Sequence, residues 1–397
     1  MAEFKDICTK IGSGATPKGG KEAYCEDGIS LIRSQNVLDF AFSAGGLAYI
    51  NELQAEKLKN VIVEEDDVLL NITGDSVARA CIVDKKYLPA RVNQHVCIIR
   101  ADSSKAIPSY LLYYLQLNKE YLLQLASGGA TRNALTKDMI NNLELELPTI
   151  EEQQKVVAVL DDIQKKIDFN NAINENLEQQ ARAVFQAWFI DYEPFGGAAP
   201  LAWHPSTLGQ IAELKTDSWS PAKNPDVMVE HYSIPAFDDQ HYPVFEIAAG
   251  IKSNKYILNS NSVMISKLNP DTKRIWRPLC LSAHSVCSTE FIVYEAKKQE
   301  QRDYIYSILD SIPFLNHLCS HTTGSTNSRQ RATPKSTLDF TLCLPPDSII
   351  EDFCQIVTPM YDLIASNIVE NQSLAKTRDS LLPRLMSGEL DVSTIEL

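Results

Sequence analysis

The stretch KVVAVLDDIQKKIDFNNAINENLEQQARAVFQAW (155–188) and the stretch DFCQIVTPMYDLIASNIVENQSLAKTRDSLLPRL (352–385) lie over one another without a gap. In the first, Val156, Leu160, Ile163, Ile167, Asn170, Asn174, Leu177, Ala181, Val184 and Trp188 fall at alternating steps of four and three. In the second, Phe353, Val357, Met360, Ile364, Asn367, Asn371, Leu374, Arg378, Leu381 and Leu385 do the same, each 197 residues after its counterpart. Heptad spacing puts one stripe of side chains along one helix face, so the pattern predicts two long helices that pack on each other through that seam. From Val156 to Trp188 such a helix extends about 48 Å, at about 1.5 Å per residue. The polar rungs Asn170/Asn174 and Asn367/Asn371 coincide in the two copies, and Asn in a core layer sacrifices stability to set register and partner orientation. Pro359 removes a backbone donor inside the second ladder, which predicts a kink or a later helix start.

Working outward, the segments ahead of the two ladders also repeat. DVLLNITGDSVARACIVD (67–84) matches SVMISKLNPDTKRIWRPL (262–279), and NQHVCIIRA (93–101) matches STEFIVYEA (288–296), both at an offset of 195. These read as strands, with β-branched residues bounded by turn formers. SGGATRNALTKDMINNLELELP (127–148) lies over GSTNSRQRATPKSTLDFTLCLP (324–345) and predicts a loop, a short helix, a strand and a Pro that opens the rod. Within the globular segments, Ser109–Leu125 and Gln301–Leu318 carry apolar residues at helical spacing. The expected plan is mixed α/β: a globule at 1–148, a helix at 149–192, a second globule at 193–345 and a closing helix with its tail at 346–397. Two long antiparallel coiled-coil helices separate the globules, and an internal repeat relates the halves by a pseudo-twofold axis.

The chain has 397 residues, enough for two domains. No apolar run is long enough to cross a bilayer, the N-terminus lacks a secretory pattern, and nine scattered Cys without CxxC fit a reducing compartment. The expected location is the cytoplasm. Net charge is −14, with −3 in 1–148, −3 in 149–190, −2 in 191–345 and −6 in 346–397. The globules are thus near neutral, which excludes a generally basic protein but leaves room for a local basic patch.

Motifs for catalysis are missing. Gly14–Lys21 brushes against a phosphate loop, but it has one residue too many, and Glu22 stands where Ser or Thr would bind magnesium. There is no HExxH, no GxGxxG after a strand and no Asn/Asp-Pro-Pro-aromatic segment. Cys280, His284, Cys287, Cys319 and His321 are residue types that zinc accepts. Their spacing is not that of paired ligands, and only Cys97 stands in the matching part of the first globule.

INENLEQQARAVFQAWFIDYEPF (173–195), NQSLAKTRDSLLPRLMSGELDV (371–392) and ELPTIEEQQKVVAVLDDIQKKI (146–167), together with VEHYSIPAF (229–237), STEF (288–291) and LGQIAELK (208–215), resemble the specificity subunit of type I restriction–modification systems over essentially the whole chain. The resemblance implies that each globule is a target-recognition domain reading one half of a split, asymmetric site in double-stranded DNA. It implies that the helices set the unread spacer and hold two methyltransferase subunits, which recruit the restriction/translocase subunits. S-adenosylmethionine, ATP and magnesium would then belong to the partners, with no cofactor and no catalytic residue on this chain.

Arg reads guanine, and Asn or Gln reads adenine, through paired hydrogen bonds in the major groove, while Lys and Arg hold phosphates. By residue type and loop position, the DNA-binding candidates in the first globule are Lys18, Lys21, Arg33, Gln35, Asn36, Asn71, Thr73, Arg79, Arg132 and Asn133. In the second they are Trp219, Lys223, Lys267, Asn269, Lys273, Arg274, Asn327, Arg329 and Arg331. The helix–helix seam is assigned to Leu160, Ile163, Ile167, Asn170, Asn174 and Leu177 against Val357, Met360, Ile364, Asn367, Asn371 and Leu374. Two rival readings stand: a coiled-coil interaction scaffold that never touches DNA, and a stand-alone enzyme with a zinc or nucleotide site.

Overall fold

The computed structural model describes residues 1–17, 19–128, 133–323 and 330–393. The chain folds as two compact units, Met1–Asp168 with Asn371–Leu397, and Phe169–Glu370. Each unit contains part of both long helices, Ile150–Phe189 and Asp347–Met386.

In the first unit a four-stranded antiparallel sheet runs in the order Cys8–Ser13, Val96–Ala101, Val68–Asn71, Ala80–Ile82. A second sheet runs Ala48–Ile50, Ile29–Ile32, Ala90–Val92, Ile62–Val63, with its two central strands parallel. The strand alternation explains the layering. Val68, Leu70, Cys97 and Ile99 share a core with Tyr110, Leu111, Tyr113 and Leu122 of the helices Pro108–Leu117 and Lys119–Ser127. Leu69, Cys81, Val96 and Ile98 point the other way, into a core with Leu31, Ile32 and Val92 of the second sheet. Each such fully buried aliphatic side chain contributes about 1.5–3 kcal/mol.

The second unit repeats this plan. Its antiparallel sheet runs Ala212–Lys215, Phe291–Ala296, Ser262–Ser266, Ile275–Trp276. Its mixed sheet runs Ser218–Trp219, Lys255–Ile257, Ser285–Ser288, Met228–Tyr232, Val244–Ile247. Met228–Tyr232 and Ser285–Ser288 form the parallel pair. Again the residues alternate: Val263, Ile265, Ile292 and Tyr294 join the helix-side core, while Met264, Phe291 and Val293 join the sheet-side core. In both units a strand near the start of the globular segment pairs with one near its end, Ala2–Glu3 with Glu144–Leu145 and His204–Thr207 with Thr341–Leu344.

Three expectations change in detail. Ser109–Leu125 is two helices, because Asn118 leaves helical geometry and its side-chain amide donates to the Tyr114 carbonyl at 2.9 Å. Gln301–Leu318 divides into Arg302–Asp310 and Ile312–Ser320, with Ser311 extended and capping Phe314 N–H. Pro313 follows directly and favours that start. Pro359 neither ends nor delays the second long helix, which runs unbroken from Asp347 to Met386. Pro359 is exposed, and buried Val357, Tyr361 and Ile364 pack on either side of it, offsetting the missing hydrogen bond.

The first long helix starts at a reciprocal cap: Glu152 N–H donates to Thr149 Oγ1, and Thr149 N–H donates to the Glu152 carboxylate. Inside the second unit the long helices run antiparallel. Asn367 Nδ2 donates to Asn174 Oδ1 at 2.8 Å, while further on Phe185 and Phe189 meet Phe353 at 6.0 and 5.0 Å between ring centres. Asn170 Nδ2 donates to Glu370 at 2.8 Å. Inside the first unit Arg378 donates to Gln164 at 2.6 Å, and Val156, Leu160, Leu382 and Leu385 share the core. All twelve seam residues named above are buried or half-buried. No helix is long and apolar enough to cross a membrane among the described residues.

Candidate nucleic-acid interface

The first unit brings four separate loops together at one end of its antiparallel sheet. Beyond the strand Cys8–Ser13 the backbone turns against the strand Ala90–Val92: Gly14 N–H donates to the Asn93 carbonyl at 3.1 Å. Any β-carbon at residue 14 would stand 1.7 Å from the Val92 carbonyl oxygen, so only glycine fits. That close approach, not phosphate binding, explains the glycine. Thr73 pairs by backbone with Ala134, and Gly74 N–H reaches the Asn133 carbonyl at 3.3 Å.

Three of these loops are joined by a chain of side-chain hydrogen bonds. Thr16 Oγ1 donates to Gln94 Oε1, Gln94 Nε2 lies 2.9 Å from His95 Nε2, and His95 Nδ1 lies 2.5 Å from Thr73 Oγ1. An amide nitrogen can only donate, so His95 accepts at Nε2 and carries its proton on Nδ1 toward Thr73. Thr16 and Gln94 are exposed; Thr73 and His95 are half-buried. An adjoining open pocket of about 430 Å³ is lined by Lys10, Gly12, Ser13, Asn60, Cys97 and Lys137, among others. Burial lowers the Lys10 ammonium pKa from its ordinary value, with the nearby Arg100 charge adding to the effect.

The sequence candidates of this unit fall into groups. Thr73 and Asn133 sit in the loop cluster just described. Lys21 lies in the short turn Gly20–Ala23. Arg79 is half-buried with no carboxylate in ion-pair reach among the described residues. Arg33 donates to the Gly46 carbonyl at 2.5 Å, and Gln35 donates to the same carbonyl at 3.2 Å, so both brace the 43–46 loop. Asn36 and Asn71 cannot present their amides to a base edge. Both are fully buried, Asn36 donating to Ser43 and Gly45 carbonyls and Asn71 to those of Ser34 and Val37. They pin one loop to the sheet, because a buried amide without a partner is costly. Lys18, Arg132, Asn327 and Arg329 lie outside the described residues.

In the second unit, Lys223 is exposed on the turn Pro221–Lys223, and Lys267 is half-buried with its backbone bonded to Glu290 and Ala332. Asn269 adopts a left-handed φ of 48° and donates its N–H to the Gln330 carbonyl. Trp219 packs on Val229, Ala248 and Val286. Three cations are already neutralised: Lys273 by Asp310 at 2.5 Å, Arg274 by Asp238 through two hydrogen bonds of 2.6 and 2.8 Å, and Arg331 by Glu290 at 3.0 Å.

The cysteine- and histidine-bearing loop 279–285 is organised by hydrogen bonds. Tyr232 Oη accepts from Leu279 N–H at 2.7 Å, and the buried Glu230 carboxylate accepts from Ser282 N–H at 2.8 Å and Ser285 Oγ at 2.7 Å. Burial pushes the Cys280 thiol up to about 11. Among the described residues, no three His, Cys, Asp or Glu side chains come together as metal ligands.

Sequence reading passed over Thr16, Gln94, His95, Lys10 and Lys137. A signal existed, since Asn93-Gln94-His95 opens one of the repeated stretches, yet only tertiary pairing shows that it meets residues 16 and 73.

A family model described as the type I restriction modification DNA specificity domain matches residues 1–179. The MjaIX type I restriction enzyme specificity subunit of Methanocaldococcus jannaschii is 28% identical over 420 residues, spanning 100% of this chain and 94% of its own length. The HindI specificity subunit of Haemophilus influenzae is 23% identical, spanning 91% of this chain and 94% of its own. In fold, the chain resembles the type I restriction-modification S subunit from M. genitalium, with a TM-score of 0.58 at 15% identity, covering 97% of this chain and 95% of that one. Over its whole length the chain is thus similar to specificity subunits of type I restriction–modification systems, and its first 179 residues match the family's DNA specificity domain.

Proposed function

We propose that this chain reads a bipartite, asymmetric site in double-stranded DNA, one half with each unit, and docks the two methyltransferase subunits and the restriction/translocase subunits. The observation that carries this reading is the repetition of one sheet topology with different side chains at matching loop positions. Thr73 bridges Ala134 in the first unit and Leu268 bridges Arg331 in the second, so equivalent places hold different chemistry. A common scaffold with unlike loops is what two unlike half-sites require.

Partner docking draws support from apolar residues that the long helices leave in solvent within the second unit: Phe169 (67% exposed), Ile173, Leu363 and Val369. In this reading the two long helices act as an antiparallel coiled coil that sets the spacer. The protein works in the cytoplasm, and S-adenosylmethionine, ATP and magnesium are held by the partners.

Selection from random duplexes by the full-length chain, followed by titration at several salt concentrations, tests the proposal. The expected result is a two-part motif with a fixed gap and a negative slope of log affinity against log salt. Absence of any salt-dependent duplex binding would instead favour a scaffold that organises proteins alone.

A further inference from the structure

We propose that Gln94 is a base-reading residue of the first unit, positioned through Thr16 and His95, with Lys10 and Lys137 as flanking phosphate contacts. The assignment rests on the DNA reading above and specifies which groups of that unit carry it out.

Both ends of the Gln94 amide are held. Its oxygen takes the Thr16 hydroxyl proton, and its nitrogen donates to a ring that Thr73 fixes from the far side. A free glutamine must give up rotamer freedom on binding; here most of that ordering has already occurred in the unbound protein. The amide still has one N–H and one carbonyl lone pair uncommitted, and it is exposed. One donor and one acceptor on a rigid amide plane match the N6 and N7 edge of adenine.

The flanking charges fit the same task. Lys10 and Lys137 line one open pocket beside Ser13 and Ile72, the neighbours in sequence of the loops that carry Thr16 and Thr73. Neither ammonium has a carboxylate within ion-pair distance among the described residues. Other cations of this unit are committed: Arg100 to Asp67 and Glu64, and Lys119 to Asp39.

The internal repeat adds an independent argument. At the 195-residue offset His95 falls on Glu290, which pairs with Arg331, the residue bridged to Leu268 as Ala134 is to Thr73. One place in the fold thus holds a neutral amide relay in one unit and an ion pair in the other.

The experiment is selection from random duplexes with the full-length chain and its variants, with melting temperature measured for each. Gln94→Ala should lose roughly 5- to 150-fold discrimination at a single adenine of one half-site, leaving the other half unchanged. His95→Ala should weaken preference at that same position. Gln94→Glu, whose side chain only accepts, should move the preference from adenine toward cytosine, a change that misfolding cannot imitate. The double variant Lys10→Ala/Lys137→Ala should bind every duplex more weakly and flatten the salt slope by about two, with the selected motif intact. Wild-type selection of a motif that Gln94→Ala and Gln94→Glu reproduce unchanged would overturn this assignment alone. Failure of the wild type to select any motif would overturn the DNA reading, and this assignment with it.

Discussion

The guanidinium of Arg378 lies 3.8 Å from the centre of the Phe40 ring. It stands where the first ladder has Ala181, and it is buried, donating to Gln164 across the helix pair. The planar cation therefore joins the second long helix both to the first and to a loop of the first unit. Arg378→Ala should destabilise that unit by about 2–4 kcal/mol, combining a lost cation–π contact with lost packing. Arg378→Lys should recover little, since an ammonium cannot stack and donate in the same plane. Chemical denaturation of both variants checks this; equal stability of wild type and Arg378→Ala would refute the contact's importance.

The buried pair Asn174–Asn367 makes a different forecast. Asn367→Leu strands the Asn174 oxygen and should cost about 1–3 kcal/mol. The double change Asn174→Leu/Asn367→Leu removes the need for a partner and should restore or raise stability, while loosening the choice of helix register. A double-mutant cycle by thermal unfolding measures the coupling, and a coupling near zero would mean that the hydrogen bond contributes nothing.

Asp303 sets an acid limit on the second unit. Burial opposes its charge, but hydrogen bonds from Arg277 and Arg302 outweigh burial and hold its carboxyl below the usual carboxylate range. A lowered native pKa gives stability that is complete above the unfolded value of about 3.9 and is lost as pH falls through the lower native value. Unfolding curves between about pH 5 and pH 2 should show this loss in wild type and a flatter limb in Asp303→Asn. That variant should also be less stable at neutral pH, by about 3 kcal/mol, because Arg302 loses its carboxylate partner and Arg277 keeps only the exposed Asp362. An identical pH profile for the two proteins would contradict the linkage.

Among the second unit's cations, ion pairing divides effective from ineffective ones. Lys223→Ala and Lys267→Ala should each reduce the salt slope of duplex binding by about one. Arg274→Ala should leave it nearly unchanged, because Asp238 already holds that guanidinium through two hydrogen bonds. Titrations across a salt series decide the matter, and a large change with Arg274→Ala would show that DNA displaces Asp238.

Gly14→Ala tests the loop that carries Thr16. Its β-carbon would stand 1.7 Å from the Val92 carbonyl oxygen, so the backbone must move. The expected outcome is a stability loss of about 1–3 kcal/mol, in the range of overpacking elsewhere, together with weaker duplex selection in one half-site. Unaltered stability and selection would show that the loop relaxes freely.

The amino-acid order by itself determined the long helices, the internal repeat and the strands of the repeated stretches, because these follow from periodicity along the chain. Val68–Asn71 and Ser262–Ser266 are legible as strands, and Asn174 and Asn367 as rungs, from spacing alone. Only the tertiary structure decided which polar residues remain free to act. Asn36 and Asn71 look like base readers in sequence, yet folding buries them against their own backbone; Lys273, Arg274 and Arg331 look like free cations, yet carboxylates 37, 36 and 41 residues away reach them. Conversely, Thr16, Thr73 and His95 acquire a joint role only when three strands end side by side. A hydrogen bond depends on distance in space, and no local pattern in the sequence encodes which distant partner the fold will supply.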